Sequence, residues 1–106
     1  MSERAAALGK NEAVFREVNE RIRDITKYHP DAEFLCECAD PTCAEPIALE
    51  LDEYEAVRRD AAQFLIVPGH DHPDVETVVS ANDRFAVVRK KAGVPTEVAV
   101  ETDPRA

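Results

Sequence analysis

All three cysteines of the chain lie close together in the segment FLCECADPTCAEP, residues 34–46. Cys36 and Cys38 are two positions apart, so in an extended segment both thiols point to the same side. Cys43 follows an Asp-Pro dipeptide, which is typical of a turn and can bring the third thiol back toward the other two. Three thiolates in one place repel one another unless a cation offsets their charge, and Zn²⁺ commonly does so in proteins.

Two other interpretations of this cluster stay open: a redox-active thiol pair, and cysteines that are only small buried apolar residues. Three cysteines within eight positions, alternating with charged residues such as Glu37, favour a metal site over either. The CxCx4C spacing is less diagnostic than paired CxxC motifs. Zinc is the expected metal, since iron is less suited to a mixed sulfur and nitrogen ligand set.

A closed tetrahedral zinc site needs a fourth ligand, and the chain has three histidines. His70 is favoured because it directly follows FLIVPG, which places it at the end of a buried strand on a glycine-containing turn. His29 and His72 each precede a proline and have simpler interpretations as residues at helix ends. A carboxylate or a water molecule as fourth ligand also stays open.

Residues 11–28 are predicted to form a helix, because four apolar residues recur at helical spacing opposite charged residues: Val14, Val18, Ile22 and Ile25. We expect this stripe to pack on the protein's own sheet, with dimerisation as the alternative. Asn11 is the expected N-cap. Residues 1–10 either extend the helix or fray, and Gly9 weakens the extension.

Short apolar runs predict strands over residues 33–38, 47–51, 64–67 and 84–90, with an edge strand at 97–101. A helix is predicted from Asp52, with a capping box to Glu55, and a short one over the valines at 75–79. This order predicts an α+β fold: a long N-terminal helix plus a small, mainly antiparallel sheet with short helices, stapled by a metal site. We expect a single domain over residues 11–92 and a C-terminal edge strand and tail over residues 93–106.

The charge of the chain limits its partners. Asp and Glu number 22 against 13 Lys and Arg, which gives a formal net charge of −9. Direct binding of nucleic acid or of an anionic membrane is not expected, because both need clustered cations. The first residues lack a signal-peptide pattern and no segment has the length of a membrane span, so a cytoplasmic location is expected. An acidic surface suits a basic protein partner, while the sequence does not decide between a monomer and a dimer.

Four motifs together resemble a family of small uncharacterised proteins of actinobacterial type. They are FREVNERI (15–22), FLCECADPTC (34–43), LDEYEAVR (51–58) and FLIVPGH (64–70), and the resemblance extends from about Asn11 to Lys90. In that family the thiol cluster and the histidine of the PGH turn occur together. The resemblance therefore implies a zinc-binding set of Cys36, Cys38, Cys43 and His70. His72 does not belong to the shared pattern.

Three functions follow from these residues. The first is a non-catalytic protein with a structural Cys3His zinc site that acts through protein–protein contacts, with a regulatory role left open. The second is a metal-dependent hydrolase or deaminase-like enzyme, in which Glu37, Asp71 or His72 would act as base. The chain lacks HExxH and the zinc-deaminase motifs, so no catalytic residues are expected. The third is a thiol-based redox or metal sensor, since zinc-bound thiolates can be oxidised.

Overall fold

The computed structural model describes residues 2–29 and 32–105. The helices are α1 (Ser2–Thr26), α2 (Leu51–Arg58) and α3 (Val94–Glu101). The strands are β1 (Phe34–Leu35), β2 (Pro46–Ile47), β3 (Gln63–Ile66), β4 (Glu76–Ala81) and β5 (Ala86–Lys90). β1 and β2 form a two-stranded sheet, and a second sheet has the order β3-β5-β4. All these pairs are antiparallel. The expected α+β class is therefore confirmed.

The core lies between β3, β5, α2 and the small β1–β2 sheet. Phe64, Leu65 and Ile66 of β3 are completely buried. The ring of Phe34 in β1 stacks on Tyr54 of α2, with the ring centroids 4.2 Å apart. Such stacking adds to the free energy of simple apolar burial. The two sheets therefore share one core.

The apolar stripe of α1 does not face this core, contrary to the sequence-based expectation. Val14 is 61% exposed, Ile25 48% and Val18 36%, whereas Ile22 packs partly against the core. Beyond Ala5 and Gly9, the buried residues of α1 are polar instead: Glu12, Arg16, Asn19 and Glu20. Each of these four side chains forms at least one hydrogen bond to a distant part of the chain, so α1 attaches to the body through polar contacts.

Arg16 shows how this polar attachment works. Its guanidinium donates to the backbone carbonyls of Ala61 and Ala99, both at 2.7 Å. The same group lies 4.5 Å from the centroid of the Phe64 ring, within the range of a cation–π contact. One buried arginine on α1 thereby contacts β3, the turn before it and α3.

α1 begins at Ser2, so Asn11 is not its N-cap and the described part of residues 1–10 is helical. The helix continues through Gly9 because α3 lies against it there. A Cβ atom on Gly9 would lie 2.5 Å from Cγ1 of Val98, closer than side chains can approach. The glycine therefore permits close packing of α1 on α3.

Three other local expectations were wrong. Residues 76–81 form the strand β4 rather than a helix, as β-branched valines allow, and Val78 pairs with Val88 of β5. Residues 97–101 belong to α3 rather than to an edge strand, and packing buries Ala99 of that helix. The capping interaction of α2 runs from the backbone N–H of Glu50 to the carboxylate of Glu53 at 2.8 Å, not between Asp52 and Glu55.

Membrane-spanning helices were not expected, and α1 is the longest helix of the described chain. Across residues 2–29 and 32–105, no helix combines the length and the apolar character needed to cross a membrane. The cytoplasmic location stays a prediction.

Candidate metal centre

Cys36, Cys38, Cys43 and His70 converge at one point. Each offers one ligand atom, and the four atoms all lie within 4.8 Å of one another. Nδ1 of His70 lies 3.5 Å from Sγ of Cys43 and 3.7 Å from Sγ of Cys36. Tetrahedral Zn²⁺ with the usual Zn–S and Zn–N bond lengths would place sulfur and nitrogen about 3.6 Å apart. The two distances from His70 match that value, and Cys38 lies in the same cluster within the 4.8 Å limit.

Cys36 and Cys38 come directly after β1, which ends at Leu35 rather than continuing to residue 38 as expected. The N–H of Cys36 still donates to the carbonyl of Glu45, next to β2, at 2.8 Å. One residue later the backbone changes partner, since the N–H of Glu37 donates to the carbonyl of Leu65 at 2.7 Å. The segment that carries the two thiols is thereby bound to β3 of the second sheet.

Two proline-containing turns bring in the other two ligands. In Asp40-Pro41-Thr42-Cys43, the N–H of Cys43 donates to the carbonyl of Asp40, and the Asp40 carboxylate accepts from the N–H of Thr42. Asp in the first position and Pro in the second are typical of such a turn. The fourth residue of the turn is a ligand, so the turn itself places the third thiol.

The second turn, Val67-Pro68-Gly69-His70, closes with a 3.0 Å hydrogen bond from the N–H of His70 to the carbonyl of Val67. Gly69 has φ +90°, which its third position in a type II turn requires. The fourth residue is again a ligand. The N–H of Val67 also donates to Sγ of Cys36 at 3.2 Å, so the same turn supports a sulfur from the other segment.

Glu37 points away from the thiols into the interior, where it is completely buried. Its carboxylate accepts hydrogen bonds from the Arg58 side chain at 2.6 Å, from Asn19 at 2.7 Å and from the N–H of Leu65 at 2.8 Å. Arg58 and Asn19 are supporting residues that the sequence analysis missed. The sequence spacing does not indicate these contacts, because Asn19 is 18 positions and Arg58 is 21 positions from Glu37.

The surroundings of the thiols favour a bound cation. Cys36 and Cys38 are buried, and burial raises the pKa of both thiols above the ordinary value. Thiolates in this place are therefore costly unless a positive charge offsets them. Cys43 and His70 are half-buried.

The other histidines do not join the cluster in the described chain. His29 is exposed beyond the end of α1. His72 lies beside the site, where it lines a shallow cleft with Asp40 and Asp71, and its backbone N–H donates to Glu76. The cluster thus contains the histidine that the turn motif favoured.

Comparison with protein-family models, curated proteins and solved structures found no match to this chain. The resemblance to a family of small actinobacterial-type proteins stays an interpretation of the four motifs. The ligand set which that resemblance implies is the set of side chains that converge here, and these four residues could hold a metal ion.

Proposed function

We propose that this chain is a small protein stabilised by one structural Zn²⁺, bound by Cys36, Cys38, Cys43 and His70, and that it acts through protein contacts rather than catalysis. The convergence of four protein ligand atoms from two distant segments is the observation that carries this proposal. Three of the ligands come after β1 in the sequence, and the fourth comes after β3. A metal held by all four would tie the two sheets together, so its binding free energy would become folding free energy.

The donor set supports a structural role. Catalytic zinc sites commonly have three protein ligands and an open position for water, whereas four protein ligands close the tetrahedron. Glu37 was one candidate base for a hydrolase. Its carboxylate is occupied by Arg58, Asn19 and Leu65 and faces away from the thiols, which leaves it badly placed to activate a metal-bound water.

The partner that suits this surface is basic. The net charge of −9 would attract a positively charged protein surface over a distance of about 8 Å at physiological salt. The same charge disfavours direct contact with a nucleic-acid backbone.

A thiol-based sensor is the second candidate function, and the half-buried position of Cys43 favours it. Peroxide could oxidise two of the clustered thiolates to a disulfide. The peroxide would take up two electrons and two protons to give water, and the site would lose two of its ligands. Release of the metal would then report oxidation.

Metal analysis of untagged protein tests the proposal. We expect about one equivalent of zinc in the wild type, and loss of that zinc together with a lower melting temperature in Cys36→Ser. Thr42→Ser, within the same turn but outside the cluster, is the matched control and should keep its zinc. Purified wild-type protein without bound metal that also fails to take up added zinc would refute the proposal. Zinc release by peroxide with retained fold would favour the sensor.

A further inference from the structure

The outward face of α1 is an apolar surface that the fold itself does not cover. Val14, Val18 and Ile25 are all at least a third exposed, and Tyr28 just beyond the helix is 71% exposed. Half-buried Leu8, Phe15 and Ile22 border these residues on the side toward the body. Exposed apolar residues gathered on one helix face of a small protein commonly mark an interaction site. We call this surface the α1 stripe.

The α1 stripe follows a heptad repeat. Its central positions are spaced alternately by four and three residues: Ala7, Asn11, Val14, Val18, Arg21, Ile25 and Tyr28. A repeat of 3.5 residues keeps one seam of a helix facing a partner helix, as in coiled coils. The spacing therefore indicates a helical partner for this surface.

The polar residues of the repeat decide how two copies would pair. In a parallel pair, equal positions meet, so Arg21 would face the partner's Arg21 and the charges would repel. In an antiparallel pair centred near residue 16, Val14 faces the partner's Val18 and Ala7 faces the partner's Ile25. Arg21 then faces the partner's Asn11, a neutral acceptor. The antiparallel register places apolar residues together and separates the arginines.

The charges beside the stripe agree with this register. Lys10 and Asp24 flank the same side of the repeat, and antiparallel pairing places Lys10 next to the partner's Asp24, twice per dimer. Flanking pairs of opposite charge commonly set the orientation of paired helices. Glu17 approaches the partner's Glu17 at the axis, where Arg21 of the same chain, 4.0 Å away, offsets the repulsion.

From this self-complementarity we infer that the α1 stripe binds a second copy of this chain, as an antiparallel two-helix interface. A helix of 25 residues is about 37 Å long, which gives a seam of more than three heptads. The interface lies on the face of α1 opposite its buried polar residues. Dimer formation and metal binding are therefore separate properties of the protein.

Sedimentation equilibrium of the zinc-loaded full chain tests the inference. We expect the wild type to be a dimer at about 100 µM, and Val18→Glu to raise the dissociation constant at least tenfold, because it places two carboxylates in the centre of the seam. The matched control is Val79→Glu on β4, where the valine is 49% exposed, and it should leave the dimer intact. A monomeric wild type, or dissociation only by Val79→Glu, would overturn the inference.

A charge exchange tests the antiparallel register. Lys10→Asp and Asp24→Lys should each weaken the dimer, and the chain that carries both changes should recover most of the loss. Within one chain the two positions are about 21 Å apart along the helix, so recovery must come from contacts between chains. Asp24 also forms an ion pair with Arg23 of its own chain at 3.2 Å, so each charge change can alter the stability of the monomer itself. This effect on the monomer is measured separately, by making the same changes in the Val18→Glu chain. A double variant no better than the worse single variant would contradict the register.

Discussion

Glu37 and Arg58 form an ion pair in the interior, with Oε1 of Glu37 2.6 Å from Nη2 of Arg58 and both side chains almost completely buried. Glu37 separates Cys36 from Cys38, so this pair fixes the segment that carries two of the four candidate ligands. α2 therefore supports the candidate metal centre without contributing a ligand to it.

Arg58→Met should destabilise the protein by about 3–5 kcal/mol, because it leaves the Glu37 carboxylate charged and buried without its cation. It should also weaken zinc binding by about 10–100-fold, as loss of outer-shell support commonly does. Urea unfolding and competition with a zinc chelator measure the two effects. Arg59→Met is the matched control, since Arg59 is exposed. Unchanged zinc affinity in a destabilised Arg58→Met would show that the pair supports the core alone.

His70→Ala should weaken zinc binding more strongly than any outer-shell change, by well over about 100-fold, because it removes a ligand. His72→Ala should leave the affinity within about threefold, since His72 lies in the neighbouring cleft. Chelator competition on both purified variants gives the comparison. The assignment of the fourth ligand is wrong if the two variants lose affinity equally.

Gly9→Ala should destabilise the protein by about 1–3 kcal/mol through overpacking, although alanine is the better helix former by about 1 kcal/mol. The added Cβ would meet Cγ1 of Val98 at 2.5 Å. Val98→Ala in the same chain removes that contact and should recover part of the loss. Thermal unfolding of the single and double variants measures the coupling, and simple additivity would mean that α1 and α3 are not in close contact here.

Stability should fall as the pH rises from about 4.5 to about 8, the interval between the unfolded and the folded pKa of Glu12. Burial raises the pKa of Glu12 from 4.5 to about 8, despite the ammonium of Lys90 at 2.8 Å. Because the folded protein holds the proton more tightly, this contribution is complete below the unfolded pKa and is lost as the pH rises through about 8. The free energy of unfolding should decrease by at most about 1.4 kcal/mol per pH unit.

Glu12→Gln is the control for this pH dependence, since its amide cannot ionise and still accepts a hydrogen bond from Lys90. Urea unfolding of zinc-loaded protein between pH 6 and 8 compares the slopes. The variant should show a flatter profile than the wild type. Equal slopes would assign the pH dependence to groups other than Glu12.

The parts of the candidate site that could be predicted from sequence are those set by local chemistry. The turns that carry Cys43 and His70 depend on Asp, Pro and Gly at fixed positions, and such preferences act over four residues. Strands β3 and β5 were predicted for a similar reason, since short apolar runs with β-branched residues are local signals.

The buried face of α1 could not be predicted in this way. Its polar residues find partners far along the chain: Glu12 contacts Lys90 across 78 positions, and Arg16 contacts Ala99 across 83. Hydrophobic periodicity shows which helix face is apolar, but it does not show which face the rest of the fold can satisfy. In the valine-rich segments β4 and α3, the residues were compatible with the spacing of a helix and with that of a strand. Packing against the rest of the fold decided between the two.

Cys36 and His70 are 34 positions apart, so one metal ion bound by both would close a covalent-like ring around β2, α2 and β3. Closing a ring of that size restricts the unfolded chain and thereby favours the folded one. The stabilisation would be concentrated in this enclosed third of the protein. After chelation, amide protons between residues 36 and 70 should therefore exchange with solvent sooner than those of the β4–β5 hairpin, which lies outside the ring.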